Sequence, residues 1–286
     1  MTNSMTAVCL VNDLIACGDP RDTDLCGRRL FDYVTRLNLD RSHVPALLEI
    51  ARQMAEPQEW SDDEDDLTWT PPIHAYRALA QIGAPEAVNG LLGMMDRLDE
   101  MGDDWYLNEF ASALGLIGPP AFDACAAYLA DRVHGMFPAS AAAHGLVEIA
   151  KRHPEFRGRA VECISSRLAE FESSDMDFNG FLVGHLLDLK AVEAAEVIER
   201  AFAAQRVECC VTGNWHDVRT DLGVTGMGLM SEEEARCEYG WQFKHLPSPR
   251  IETFDGPCRA HRGFKSRDKQ KRMAQKQAKR RGRRRR

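Results

Sequence analysis

Ala78-Leu79-Ala80-Gln81-Ile82-Gly83-Ala84-Pro85 returns at an offset of 35 as Ala113-Leu114-Gly115-Leu116-Ile117-Gly118-Pro119-Pro120, in register and without a gap. The phrase returns more weakly as Gly145-Leu146-Val147-Glu148-Ile149-Ala150 and as His185-Leu186-Leu187-Asp188-Leu189-Lys190-Ala191, so that Leu79, Leu114, Leu146 and Leu186 are matching anchors. Leu-x-x-Ile places two apolar side chains on the inner face of a helix that is about to end. Gly ends it because a residue without Cβ enters positive φ at no steric cost, and Pro just beyond cannot continue it. A second helix with its own apolar face then follows: Ala87, Val88, Leu91, Leu92 and Met95 in one unit, and Ala124, Ala127, Tyr128 and Leu129 in the next. Each pair of helices is too small to hold a core alone, so neighbouring pairs must stack.

Outward from the repeats, the same periodicity predicts helices at the N-terminus. Residues 6–16 read as a buried amphipathic helix, and Leu30, Phe31, Val34 and Leu37 as one apolar stripe. Ser42 is the expected N-cap of a helix carrying Val44, Leu47, Leu48, Ala51 and Met54. Between Gln53 and Tyr76 there are seven acids and no base, flanked by Trp60, Trp69 and Pro71-Pro72. Carboxylates at this density repel one another, which predicts a solvated loop. Ser231 to Glu234 reads as a capping box opening a helix that runs to about Trp241. Strand-like alternation is absent throughout. The resulting division is 1–55 N-terminal helical unit, 56–72 acidic loop, 73–224 repeats, 225–258 helix and irregular segment, and 259–286 basic tail.

Across 73–224 the repeated phrase resembles HEAT-like repeats, of the bacterial phycobilisome-lyase HEAT-like class. Ala201 to Val207, followed by Gly213-Asn214-Trp215-His216-Asp217-Val218 and Leu222-Gly223, resembles a closing segment of such proteins. What the resemblance implies is an all-α protein, an α-solenoid of antiparallel helix pairs, whose surface serves protein binding as a scaffold. The family also includes lyases and DNA-repair glycosylases, so the resemblance implies an architecture more narrowly than a reaction.

Charge divides the 286-residue chain in two. Residues 259–286 hold 15 Lys/Arg and one acid, Asp268, while residues 1–258 hold 21 bases and 43 acids, a net of −22. The tail ends Lys276, Lys279, Arg280, Arg281, Gly282, Arg283, Arg284, Arg285, Arg286 and has almost no apolar side chain to bury, which predicts disorder or a transient helix at 268–280. Its arginine forks match phosphate oxygens and point to RNA, a ribosome or DNA as a polyanionic partner; the acidic body is the competing partner. Arg132, Lys151, Arg152, Arg157 and Arg159 lie close in sequence and make a candidate basic stripe on the repeats.

For metal, Cys237, His245, Cys258 and His261 supply four soft ligands within 25 residues, but only the last two have tight zinc-like spacing. Nine scattered cysteines read as small apolar fillers in a reducing, cytoplasmic setting. No phosphate loop, nucleophile elbow or His-Glu-x-x-His pattern is present, and no stretch approaches the ~20 apolar residues of a membrane span. His144 and His185 precede their anchors on largely apolar helices and read as core or groove histidines. The reading is therefore a non-enzymatic adaptor without a cofactor, with nucleic-acid binding or processing as the alternative and a HEAT-type lyase a distant third.

Overall fold

The computed structural model of the chain describes residues 2–25, 29–56, 66–103 and 105–224, all within the unit Met1–Ser248. These residues are all-α: α1 (Thr2–Ile15), α2 (Tyr33–Arg36), α3 (Val44–Arg52), α4 (Pro71–Ile82), α5 (Val88–Met101), α6 (Trp105–Ile117), α7 (Pro119–Ala130), α8 (Met136–Arg152), α9 (Arg157–Leu168), α10 (Met176–Asp188), α11 (Ala195–Ala203), α12 (Cys209–Thr212) and α13 (Trp215–Leu222). Among the described residues there is no strand, only an isolated bridge between Asp24 and Leu30. None of their helices is long and apolar enough to cross a membrane.

Helices α4, α6, α8 and α10 touch in succession, and α5, α7, α9 and α11 do the same beside them. Helix α8 bridges the two rows, packing on α6 and α10 in one and on α7 and α9 in the other. The matched leucines form the seam: Leu79, Leu114, Leu146 and Leu186 are all fully buried. Each such side chain contributes about 1.5–3 kcal/mol by leaving water. Close approach depends on small residues. A Cβ on Gly115 would lie 2.7 Å from the Glu148 Cβ and 3.2 Å from its carbonyl carbon, so α6 presses its backbone against α8.

The repeated turn is built in more than one way. Gly83 takes the left-handed conformation (φ 66°, ψ 45°), letting the Ala84 N–H reach back to the carbonyl of anchor Leu79 at 3.1 Å. At the fourth unit Lys190 (φ 50°) does what a glycine would do, and the Ala191 N–H bonds the carbonyl of Leu186 at 3.0 Å. Arg157 completes this cap by donating to the carbonyls of Leu189 and Lys190, each at 2.9 Å. Gly118 differs: its φ of 79° and ψ of −144° carry the chain directly into α7, which starts on Pro119-Pro120. At α8 no glycine is used: His153 leaves the helix at negative φ (φ −129°, ψ 80°) before Pro154.

Four expectations are corrected. Leu30 is 53% exposed, and the Leu30-to-Leu37 stripe is one short turn, α2, whose buried residue is Tyr33. Phe31 and Leu37 still pack half-buried against the core, and Gln81 fixes the backbone by accepting from the Tyr33 N–H (2.8 Å) and donating to the Phe31 carbonyl (2.7 Å). Asp40, not Ser42, caps the helical segment that leads into α3, in a reciprocal box with His43. Pro71 and Pro72 are the buried first turn of α4, where a missing N–H costs nothing, so the helix begins two residues inside the expected 56–72 loop. The inward face of α7 is Ala121, Phe122, Cys125, Tyr128 and Leu129, with Ala127 exposed. Most of the acidic loop, all of 225–258 and the tail lie outside the described residues.

Helix α4 is buried from Pro71 through Ala80 because the N-terminal segment packs over it. Its polar residues are satisfied there. Arg77 forms a two-pronged ion pair with Glu109 of α6 and donates to the Thr23 hydroxyl (2.9 Å) and the Pro20 carbonyl (3.1 Å). His74 donates from Nε2 to the Gly18 carbonyl (2.9 Å) and accepts the Tyr33 hydroxyl at Nδ1 (2.6 Å), a neutral imidazole. Burial, which the Gly18 carbonyl only partly offsets, pushes its pKa down to about 4.

Two expected outcomes follow from this packing. Gly115→Ala drives a methyl into the α8 backbone and lowers stability by about 2 kcal/mol, whereas Gly90→Ala, 3.8 Å from the Leu48 Cδ2, is neutral or stabilising; chemical denaturation of both variants checks the contrast. A histidine that the fold keeps neutral contributes fully above the ordinary histidine value of 6.5 and loses its contribution as pH falls toward 4. That loss is about 3 kcal/mol between pH 7 and pH 4. Imidazole NMR should show His74 neutral at pH 5.5, where an exposed histidine is charged.

Candidate functional surface on helices α8 and α10

Helix α8 carries Phe137, Ser140, His144, Glu148 and Lys151 at spacings of three and four, hence on one face. Helix α10 carries Phe181, His185 and Asp188 on the face that meets it. The two helices lie side by side, and the residues pair across the seam in order. The rings of Phe137 and Phe181 lie 6.0 Å apart at 43°. The imidazoles of His144 and His185 stack at 5.3 Å and 16°, and His185 Nε2 is 3.1 Å from the Ser140 hydroxyl. Lys151 then bridges the helices, donating to Glu148 at 3.2 Å and Asp188 at 3.1 Å.

Glu148 is the buried acid of this row. It accepts from Arg152 as well as Lys151, and His144 Nε2 stands 3.8 Å away. Burial opposes its ionisation, but the Arg152 hydrogen bond and the charges of His144, Lys151 and Arg152 outweigh it and lower its pKa. Lys151 is similarly disfavoured by burial and then raised by Asp188 and Glu148. The carboxylate is therefore a fixed anion held between fixed cations. The seam offers a half-buried aromatic pair, two stacked imidazoles and a hydroxyl on rigid helices, a surface suited to recognition.

The candidate basic stripe is neutralised by its neighbours. Arg132 pairs with Glu170, Lys151 with Glu148 and Asp188, Arg152 with Glu148, Arg157 with Glu193, and Arg159 with Asp123. Arg159 also lies over the rings of Phe122 (4.4 Å) and Phe156 (5.5 Å). Several of these pairs join positions 36 to 38 residues apart, so the cations tie distant helical segments of the chain together.

Of the candidate ligands, Cys237, His245, Cys258 and His261 lie outside the described residues, as do Lys276, Lys279, Arg280, Arg281, Arg283, Arg284, Arg285 and Arg286. Among the described residues no three His, Cys, Asp or Glu side chains come together as metal ligands, and the six described cysteines are free thiols. Burial pushes the Cys125 thiol up to about 12, the behaviour of an apolar filler. His144 and His185 are brought together, each half-buried, where α8 meets α10. Phe137, Ser140 and Phe181 escape a motif search, because what unites them is helical spacing on two elements rather than a contiguous pattern.

No family model matches this chain, and neither a curated protein nor a solved structure does.

Glu148→Gln keeps the shape and removes the charge that Lys151 and Arg152 share, at a cost of about 2 kcal/mol at pH 7. The carboxylate's stabilisation is present above its ordinary value of 4.5 and fades as pH falls through the lowered folded value. The denaturation difference between wild type and E148Q should therefore shrink as the pH is taken below about 4.

Proposed function

We propose that this chain is a non-enzymatic adaptor, an α-solenoid of HEAT type that presents the α8–α10 seam to a protein partner and contacts a polyanion through its basic tail. The observation that carries the reading is the ordered row Phe137/Phe181, Ser140/His185 and His144/His185 on two rigid helices. Aromatic and imidazole side chains held in place lose little entropy on binding, and so give recognition at low cost. The succession of helices in two rows and the buried leucines at repeat spacing support the solenoid, as does the likeness of the repeated phrase to HEAT-like proteins.

Division of labour follows from charge. The repeats average strongly negative and their central cations are paired to acids, which weighs against a nucleic-acid groove on the body and against the processing alternative. The 15 bases of residues 259–286 have one acid among them, and phosphate is the ligand such a segment recognises.

Affinity capture on the full chain, on a 1–258 truncation and on the double variant Phe137→Ala/Phe181→Ala tests both halves. The truncation should keep the protein partner and lose RNA, while the double variant should do the reverse. With about seven phosphates neutralised, log K for duplex DNA should fall with log salt at a slope near −6, shallower on single strands. Full RNA affinity in the truncation, or an unchanged partner set in the double variant, overturns the assignment.

A further inference from the structure

We infer that the hollow between Arg132 and Arg200 is a binding site for a phosphoryl oxyanion, distinct from the α8–α10 seam and from the basic tail. The hollow measures about 430 Å³ and is lined by Arg132, Ala169, Glu170, Phe171, Glu172, Ser173 and Arg200. Three successive elements build it: the turn after α7 supplies Arg132, the turn between α9 and α10 supplies Phe171 and Ser173, and α11 supplies Arg200.

Arg200 sets this place apart. At neighbouring rungs Arg132, Arg157 and Arg159 each meet a carboxylate from the adjacent repeat. The Arg200 guanidinium meets none among the described residues; it is exposed and stands 5.9 Å from the Phe171 ring centroid, with that buried ring beneath it. An aromatic face orients a guanidinium fork without using its N–H donors, which stay available to an incoming oxyanion.

The surroundings add charge of the same sign. Glu170 is shared by two guanidiniums, Arg132 and Arg167, so one carboxylate answers two cations. Arg206 spends its donors on the carbonyls of Phe171, Glu172 and Ser174. The lining itself holds Arg132 and Arg200 against Glu170 and Glu172, and two further guanidiniums adjoin it, Arg206 bonded to its backbone and Arg167 paired with the Glu170 carboxylate. That is a local inversion on a body whose net charge is −22. An anion is repelled by the body at long range, so only a ligand with several acceptor oxygens at close quarters gains from this site. A phosphoryl group, dianionic and matched to guanidinium forks, fits that requirement, with Arg132 and Arg200 both lining the hollow; the Ser173 hydroxyl is held by the Glu170 carbonyl at 3.0 Å.

The test is side-chain NMR of the full-length chain, following the Arg200 Nε–H and the Ser173 amide while inorganic phosphate or O-phosphoserine is added. Site-resolved signals separate this hollow from phosphate taken up by the tail. Saturable shifts with either probe support the site, and saturation by O-phosphoserine alone assigns it to esterified phosphate. Arg200→Gln and Arg132→Gln should each weaken binding about tenfold, Arg200→Lys by less, and Arg36→Gln, at an exposed arginine over Phe31, should leave it unchanged. Shifts that rise linearly without saturating, or an R36Q loss equal to that of R200Q in variants of wild-type melting temperature, would overturn the proposal.

Discussion

Helices α4, α6, α8 and α10 remove their apolar faces from water by lying against one another and against the helices beside them. Anchor leucines buried at Leu79, Leu114, Leu146 and Leu186 make that stacking favourable, and glycines at the crossings make it sterically feasible. Gly115 admits the backbone of α8, Gly145 admits Leu114 at 3.1 Å from where a Cβ would stand, and Gly180 admits Val211 at 3.0 Å. Everything else described here sits on a scaffold fixed by these contacts. The row of α4, α6, α8 and α10 is held at a spacing that lets short side chains such as Ser140 reach the neighbouring helix.

Charge is organised on the same period. Arg77 with Glu109, Arg159 with Asp123, Lys151 with Asp188, Arg157 with Glu193 and Arg132 with Glu170 each bridge adjacent units. Exposed rungs of this kind are individually worth about 0.2–1 kcal/mol, so their weight lies in register more than in stability. Arg77 is different, since its side chain is only 1% exposed and the loss of Glu109 would strand a buried cation. Arginine also replaces glycine chemistry at a turn: Arg157 satisfies the carbonyls at the end of α10 while Lys190 takes the left-handed conformation. A ladder that consumes cations leaves the acidic body without a continuous positive track. That is why the functional reading rests on an aromatic and imidazole seam, and why Arg200, which lacks a rung, stands out.

Much of this was legible without coordinates. Leu-x-x-Ile-Gly marks helix ends because only certain side chains tolerate the dihedrals there, and that is local physics. The failures were equally physical. Leu30 to Leu37 has helical spacing but belongs to a segment held by backbone bonds to Gln81, a partner some fifty positions away that no periodicity announces. Ser42 is a sound cap by type, yet Asp40 reaches the free N–H groups first. The stripe of Arg132, Lys151, Arg152, Arg157 and Arg159 looked cationic because, Glu148 beside Lys151 and Arg152 apart, the acids that meet it lie 36 to 38 positions away.

By itself the sequence determined the helical class, the glycine-marked ends of α4 and α6 and the split of charge along the chain, all of which follow from composition and short-range stereochemistry. Only the tertiary structure decided which side chains share a face across two helices, which cations are already spent on acids, and which imidazole, His74, is kept neutral. Those outcomes depend on distances between elements, and such distances come from packing many weak contacts at once rather than from any residue's own preference.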